Sequence, residues 1–443
     1  MLGFSANNIL ALNFQYFRMM YRYLSILLLL TTFSVKSQTF SFTTKNKADH
    51  HITSGVSYID NQKFGFDFQT EKDILFSENG ATTTAPTYFS VNLPEDNYQI
   101  SITFCAPEKT SEVTVKAESR RLMIDQLQIP AGTKETVTFN VHLHYTEIDG
   151  ANYKMELKSR EVGILNWDNK LTLEFSEGVT IEHINIQPLN RVTTLFLAGD
   201  STVTDQDLEP WASWGQFFTN YINNKAVVGN YASSGASLPS FKGQKRLEKI
   251  LSELKKGDYV LIEFGHNDEK IKGEGNGAYG LYTNLLKEYI TKVRAKGGNP
   301  VLLTPTQRRF FENGKLKPTH GDFPNAMRKV AKELNVQLID LTKLTTDMYE
   351  SWGDENSRNA FVQYPANTFP GQTEKLEDNT HFNTFGANEI ALAIVQEIKN
   401  QHLELVQFLK PNIPNYNPKK PNQIADWTLP MSPRFESEKP YGN

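Results

Sequence analysis

The chain has 443 residues, more than one typical domain holds, and its 39% hydrophobic and 22% charged content is that of an ordinary soluble protein. A formal net charge of −4 offers no electrostatic footprint for nucleic acid. The single cysteine, Cys105, excludes an intrachain disulfide framework and a multi-cysteine metal site, and its run Ile102-Thr-Phe-Cys105 is expected to pack in a strand.

At the N-terminus Arg18 and Arg22 precede an apolar run, 24–33, and small Ser37 stands just before Gln38. That is the order of a secretory signal, with an apolar run too short to span a bilayer comfortably. Residues 1–37 are therefore expected to direct export to a periplasmic or extracellular location, without membrane insertion after cleavage. Met19 and Met20 are alternative starts, and no cysteine at the cut invites lipid attachment there.

Residues 38–189 alternate in period two, as in Tyr98/Ile100/Ile102/Phe104, Val137/Phe139/Val141/Leu143 and Leu171/Leu173/Phe175. Polar turn clusters separate the runs, and the pattern predicts an all-β sandwich of antiparallel sheets. His142 and His144 share one strand face, a pair that would need a third ligand to hold a metal and is otherwise expected to meet solvent. Phe64, Phe66, Phe68 and Trp167 read as core rather than as sugar platforms.

After Pro188 the pattern changes. Apolar β-type runs at 195–198, 226–231, 259–264, 300–304 and 336–340 alternate with helical spacing, as in Leu247/Ile250/Leu251/Leu254 and Leu285/Leu286/Tyr289/Ile290/Val293. Apolar strands alternating with helices imply a parallel sheet covered on both faces, over 190–408. The aromatics of 211–221 lie in a helix-like stretch, and a last helix is expected over 384–400. Prolines after 409 break regular structure, so 409–443 is expected to be an irregular tail on the surface.

Reacting groups in such a sheet belong at the carboxyl ends of the strands. The first run stops at Gly199-Asp200-Ser201-Thr202, the second leads to Gly235-Ala236-Ser237, the third to Gly265-His266-Asn267-Asp268, and the fourth to Thr304-Pro-Thr-Gln-Arg308-Arg309. Asp378-Asn-Thr-His381 stands before the last helix. Each alone has a plain reading as a turn or cap; together they supply what a serine nucleophile needs. Ser201 is the nucleophile candidate, His381 the base and Asp378 its orienting acceptor. The N–H groups of Ser201 and Gly235 and the Asn267 amide are the candidate oxyanion donors. His266 reads as a pocket wall. Arg308 and Arg309 either meet a substrate carboxylate or pair with nearby acids. His320 has Asp322 as its only close acid in sequence. No ligand pair of the H-x-x-x-H type occurs, so neither metal nor cofactor is expected.

These blocks together resemble the four motif blocks of the SGNH/GDSL hydrolases. Thr202 after Gly-Asp-Ser, Pro210-Trp-Ala-Ser-Trp-Gly-Gln216, Thr304–Arg309 and Pro324-Asn-Ala-Met-Arg328 before Leu338-Ile-Asp340 are similar to the rhamnogalacturonan acetylesterase branch. The resemblance covers about 190–405. It implies a three-layer α/β/α, flavodoxin-like fold, and an acetyl-enzyme route for removing acetyl groups from pectic polysaccharide. Gly235-Ala-Ser237 departs from the Gly-Arg-Ser type expected at the second block. Acetylated xylan or another glycan, a small lipid ester, or a carbohydrate-binding protein with an inactive hydrolase part are the alternatives.

Overall fold

The computed structural model describes residues 36–44, 48–59 and 62–441. Apart from Lys36 and Ser37, the expected export signal lies outside the described residues. Five strands, Thr193–Gly199, Ala226–Asn230, Tyr259–Glu263, Asn299–Leu303 and Gln337–Ile339, form an all-parallel sheet. Their spatial order is 2-1-3-4-5, the flavodoxin-like order, whose switch point lies between the first and third strands. Successive side chains enter opposite cores, Leu195 and Leu197 on one side, Phe196 and Ala198 on the other. Helices Trp214–Phe218, Leu341–Ser357 and Thr384–Asn400 fill the first core, and Leu238–Gly243, Arg246–Glu253, Thr283–Ala295 and Phe323–Leu334 the second.

Between Gln38 and Pro188 the described residues build one sheet of seven strands and one of five. Pairing is antiparallel except where Phe40 and Ser41 run parallel to His50 and His51 and where Ser57 bridges Phe66. The sheets meet through Phe40 on Phe89, with ring centroids 5.3 Å apart, and Phe104 on Phe175 at 6.4 Å. Cys105 is buried in its strand, and Phe66 is buried, whereas Phe68 is exposed.

From Ser37 onward the described residues belong to one compact unit. The β part and the parallel sheet are joined by buried polar contacts. Arg121 Nε donates to Asp205 Oδ2 at 2.6 Å, its Nη1 to the His142 carbonyl at 2.8 Å, and its other Nη to Asn166. His142 and His144 do not face solvent as expected, because the parallel-sheet layer covers their strand face. His142 lies between Asn97 Oδ1 at 2.7 Å and the Tyr231 hydroxyl at 3.0 Å, and burial drives His144 well below the ordinary histidine range. Alternation told which residues share a face, not what covers it.

The tail beyond Phe408 is irregular, yet held. Glu209 and the segment 434–436 exchange backbone hydrogen bonds of 2.9 Å, and Lys116 Nζ reaches the Pro430 carbonyl at 2.8 Å and Glu174 at 3.1 Å.

The last helix starts three residues beyond His381 and is fixed at its first turn. Asn383 caps it, its side-chain oxygen accepting the Gly386 N–H at 3.0 Å, while its amide donates to the carbonyls of Asn359 and Phe361. A Cβ on Gly386 would lie 1.9 Å from the Ala360 carbonyl oxygen, so only glycine allows this approach. Gly386→Ala is expected to destabilise the fold by about 1–3 kcal/mol through overpacking, measured as a lower urea midpoint at unchanged m.

Candidate active site

Gly199 ends the first parallel strand, and the chain turns sharply at Asp200-Ser201-Thr202. The Asp200 carbonyl accepts the N–H groups of Val203 and Thr204, and its Oδ1 accepts the Thr202 N–H at 3.0 Å. Gly199 is required here, since a Cβ would meet Val203 Cγ2 at 2.4 Å. Behind the turn lies Glu263, the last residue of the third strand. It accepts the Trp214 indole N–H at 2.5 Å, the Thr306 N–H at 3.1 Å and the Thr202 hydroxyl at 3.2 Å. Burial, and next the charge of Asp200, push its carboxyl up to about 8, whereas Asp200 lies below its usual range.

Ser201 Oγ lies 2.9 Å from His381 Nε2, and His381 Nδ1 lies 2.8 Å from Asp378 Oδ2. All three side chains are buried. Asp378 Oδ1 accepts the N–H groups of Thr380 at 2.7 Å and His381 at 2.9 Å. Burial works to raise the Asp378 carboxyl, but the His381 ring and these N–H groups outweigh it and hold it down at about 2. An ionised Asp378 can only accept, so His381 Nδ1 donates to it and Nε2 is left to accept from the serine hydroxyl. Trp211 meets the His381 ring edge-on at 5.8 Å, and Lys439 of the tail places Nζ 3.4 Å from Asp378 Oδ2.

The second expected block is pinned to the serine turn by Ser233, whose N–H donates to the Gly199 carbonyl at 3.1 Å. Gly235 follows with φ +75°, a left-handed conformation that glycine adopts without strain. The Asn267 amide donates to the Ala236 carbonyl at 3.1 Å, which ties the third block to the second and leaves its other N–H for a ligand. Among the described residues, the N–H groups of Ser201 and Gly235 donate to no other protein group. The arrangement can deprotonate a hydroxyl beside a set of unengaged N–H donors, which is the requirement for acyl transfer.

His266 lies buried with Nδ1 3.4 Å from Asp200 Oδ2, and burial pulls it down to about 4, so it is neutral near pH 7. Arg309 turns into the protein and pairs with an acid, donating to Ser357 Oγ at 3.1 Å, Asn379 Oδ1 at 3.0 Å and Asp354. It braces the strand that carries His381. Arg308 is half-buried, pairing with Glu269 at 2.6 Å and donating to the His266 carbonyl at 3.1 Å. The close acid of His320 is Glu269, at 2.9 Å, rather than Asp322.

Sequence reasoning missed Glu263, Asp205 and Lys439. Glu263 had a signal, an acid closing an otherwise apolar strand; Lys439 in the tail had none. Among the described residues, no group of three or more His, Cys, Asp or Glu side chains is placed to hold a metal ion.

Residues 197–388 match the GDSL-like lipase/acylhydrolase family. The rhamnogalacturonan acetylesterase RhgT of Bacillus subtilis (strain 168) is 41% identical over 218 residues, 48% of this chain and 93% of that protein. The chain belongs to the GDSL-like lipase/acylhydrolase family. This makes it a carboxylic ester hydrolase. YesY of the same organism, named a probable rhamnogalacturonan acetylesterase, is 36% identical over 218 residues, 48% of this chain and 96% of its own length. An uncharacterised esterase of that organism, YxiM, is 26% identical over 357 residues, 76% of this chain and 84% of its own length.

The low value of Asp378 ties stability of this hydrolase to acid. Its ionised form contributes stability above the ordinary carboxylate value near pH 4, and that contribution is lost as pH falls toward about 2. Asp378→Asn is expected to remove about 2 kcal/mol of stability at pH 7 and to flatten the acid decline, compared by urea unfolding at pH 7 and pH 3.

Proposed function

We propose that this hydrolase is an exported carbohydrate acetylesterase acting through an acetyl-serine intermediate, with acetylated pectic rhamnogalacturonan as its substrate. The observation that carries the proposal is the hydrogen bond of 2.9 Å between Ser201 and His381, with Asp378 on the far nitrogen. Ser201 Oγ attacks the acetyl carbonyl carbon as His381 Nε2 takes its proton. The carbonyl oxygen becomes an oxyanion received by the N–H groups of Ser201 and Gly235 and the Asn267 amide. Collapse breaks the ester C–O bond, and His381 returns the proton to the departing sugar oxygen. His381 then deprotonates a water that attacks the acetyl-serine, releasing acetate and restoring Ser201.

Three observations support the substrate. Two relatives that align over almost their whole length carry the name rhamnogalacturonan acetylesterase in their descriptions. The motif Pro210–Gln216 has physical work here, with Trp211 against His381, Trp214 on Glu263, and Gln216 Nε2 on the carbonyls of Ser119 and Gln206. Arg328 pairs with Asp340 at 2.8 Å, joining the two ends of another shared motif. Export rests on the basic-apolar-small order of residues 1–37, and the sheets of 38–189 are read as an accessory to the hydrolase.

Ser201→Ala is expected to lower kcat/KM for an aryl acetate by about 10³-fold or more at unchanged thermal midpoint. Turnover within tenfold of the parent would remove Ser201 as nucleophile. Across a panel of acetylated polysaccharides, acetate release should be fastest from rhamnogalacturonan. Faster release from acetylxylan would move the substrate while leaving the chemistry in place.

A further inference from the structure

We propose that a cavity beside the serine turn is a subsite for a sugar carboxylate, with Lys158 supplying the cation and Tyr441 the ring platform. The inference deepens the carbohydrate-ester reading above and rests on it. The cavity holds ≈ 90 Å³ and is bordered by Lys158, Thr204, Gln206, Ser234 and Tyr441. That is about three water volumes, room for a carboxylate that sheds its hydration. Its walls adjoin the reacting groups. Gln206 Nε2 donates to the Ser201 carbonyl at 2.9 Å, and Ser234 immediately precedes Gly235. A sugar next to the one carrying the acetyl group would sit here.

The charges around the cavity are unequal. Four acids border it, and each already has a cation. Glu161 pairs with Arg246, Asp205 with Arg121 at 2.6 Å, Asp207 with Arg434 at 2.7 Å, and Glu436 with Arg160 at 2.9 Å. Lys158 has no carboxylate oxygen within 4.0 Å of Nζ among the described residues. Its ammonium donates to the Ser234 carbonyl and stands 5.9 Å from the centre of the Tyr441 ring. One carbonyl satisfies one of three N–H donors. Burial pulls Lys158 below the ordinary lysine range, against the opposing charge of Glu161. A neutral sugar offers hydroxyls but leaves the ammonium without a direct ion pair, whereas a uronate supplies one. The half-exposed ring of Tyr441 gives the apolar face that the C–H side of a sugar ring packs on. Lys158 and Tyr441 both lie outside the family match at 197–388, so this chain carries a specificity element separate from the shared acyl chemistry.

The test measures binding without turnover. Full-length Ser201→Ala protein is titrated by calorimetry with an unacetylated rhamnose–galacturonate oligosaccharide and with a neutral xylo-oligosaccharide. The uronate ligand is expected to bind, and adding Lys158→Met to weaken it about tenfold with the neutral ligand unchanged. Lys158→Arg should restore most of the affinity, and about 0.5 M salt should mimic its loss. Tyr441→Ala, on the exposed tail, should weaken both ligands. Absence of uronate binding to the Ser201→Ala protein, an equal loss for both ligands on Lys158→Met, or no loss from either substitution overturns the subsite. Acetate release by the unaltered protein scores the esterase reading separately. Release with no carboxylate preference defeats the subsite alone, whereas no release from any polysaccharide defeats the reading of the enzyme while the titration still judges the cavity.

Discussion

One hydrogen bond of 2.9 Å, from Ser201 to His381, joins points 180 residues apart, and the architecture around it serves to keep both ends in place. On the serine side, the first strand of the parallel sheet stops at a glycine, and the Asp200 carboxylate closes the turn through Thr202. On the histidine side, strand Leu376–Phe382 pairs with Phe361–Tyr364, and the following helix is capped by Asn383 and pressed through Gly386 onto Ala360. Neither end is held by flexible surface contacts. A hydroxyl and an imidazole held in this way lose little entropy on reaching the reactive geometry.

Electrostatics behind the serine follow from burial. Asp200 and Glu263 sit together under the turn, and two full charges there would repel each other and any developing oxyanion. Their surroundings separate them. Burial works to raise Asp200, but the nearby His266 and the hydrogen bonds of Thr202 outweigh it, while burial pushes Glu263 to about 8, so near neutrality only one of the pair carries a charge. The third acid, Asp378, is held low by N–H donors and remains ionised wherever the protein is folded near neutrality. The site therefore keeps one negative charge where it orients the imidazole, and one held at the serine turn by the N–H and hydroxyl of Thr202.

Local pattern carried much of this. The five apolar runs became the five parallel strands within one or two residues, and the last helix spans Thr384–Asn400, as its isoleucine spacing implies. The short blocks at the strand ends came together because a parallel sheet brings all its carboxyl ends to one edge. What remained hidden depends on contacts between distant segments. Helices Phe323–Leu334 and Leu341–Ser357 were not anticipated, the second because it is interrupted at Gly353 with φ +76°. His142 and His144 looked like a solvent-facing pair because no periodicity reports a second layer. Arg309 offered charge at a strand end, and only its partners, Ser357, Asn379 and Asp354, reveal that it is spent on internal contacts.

The same distinction separates the reacting groups from their surroundings in this hydrolase. The residues that can break an ester lie within 197–388, the part matched by the family. The segments that crowd around them do not. Arg121 of the β part fixes Asp205 four residues beyond the serine, while the Glu436 carbonyl of the tail receives the Trp211 indole N–H at 3.2 Å, and Lys439 stands 3.4 Å from Asp378. A tail rich in proline has little helix or strand to lose, so it can follow a surface and place side chains where regular elements do not reach. Changing its residues alters what lies beside the nucleophile without disturbing the sheet that positions it. The geometry for acyl transfer thus rests on the matched segment, while the β part and the tail shape what surrounds it.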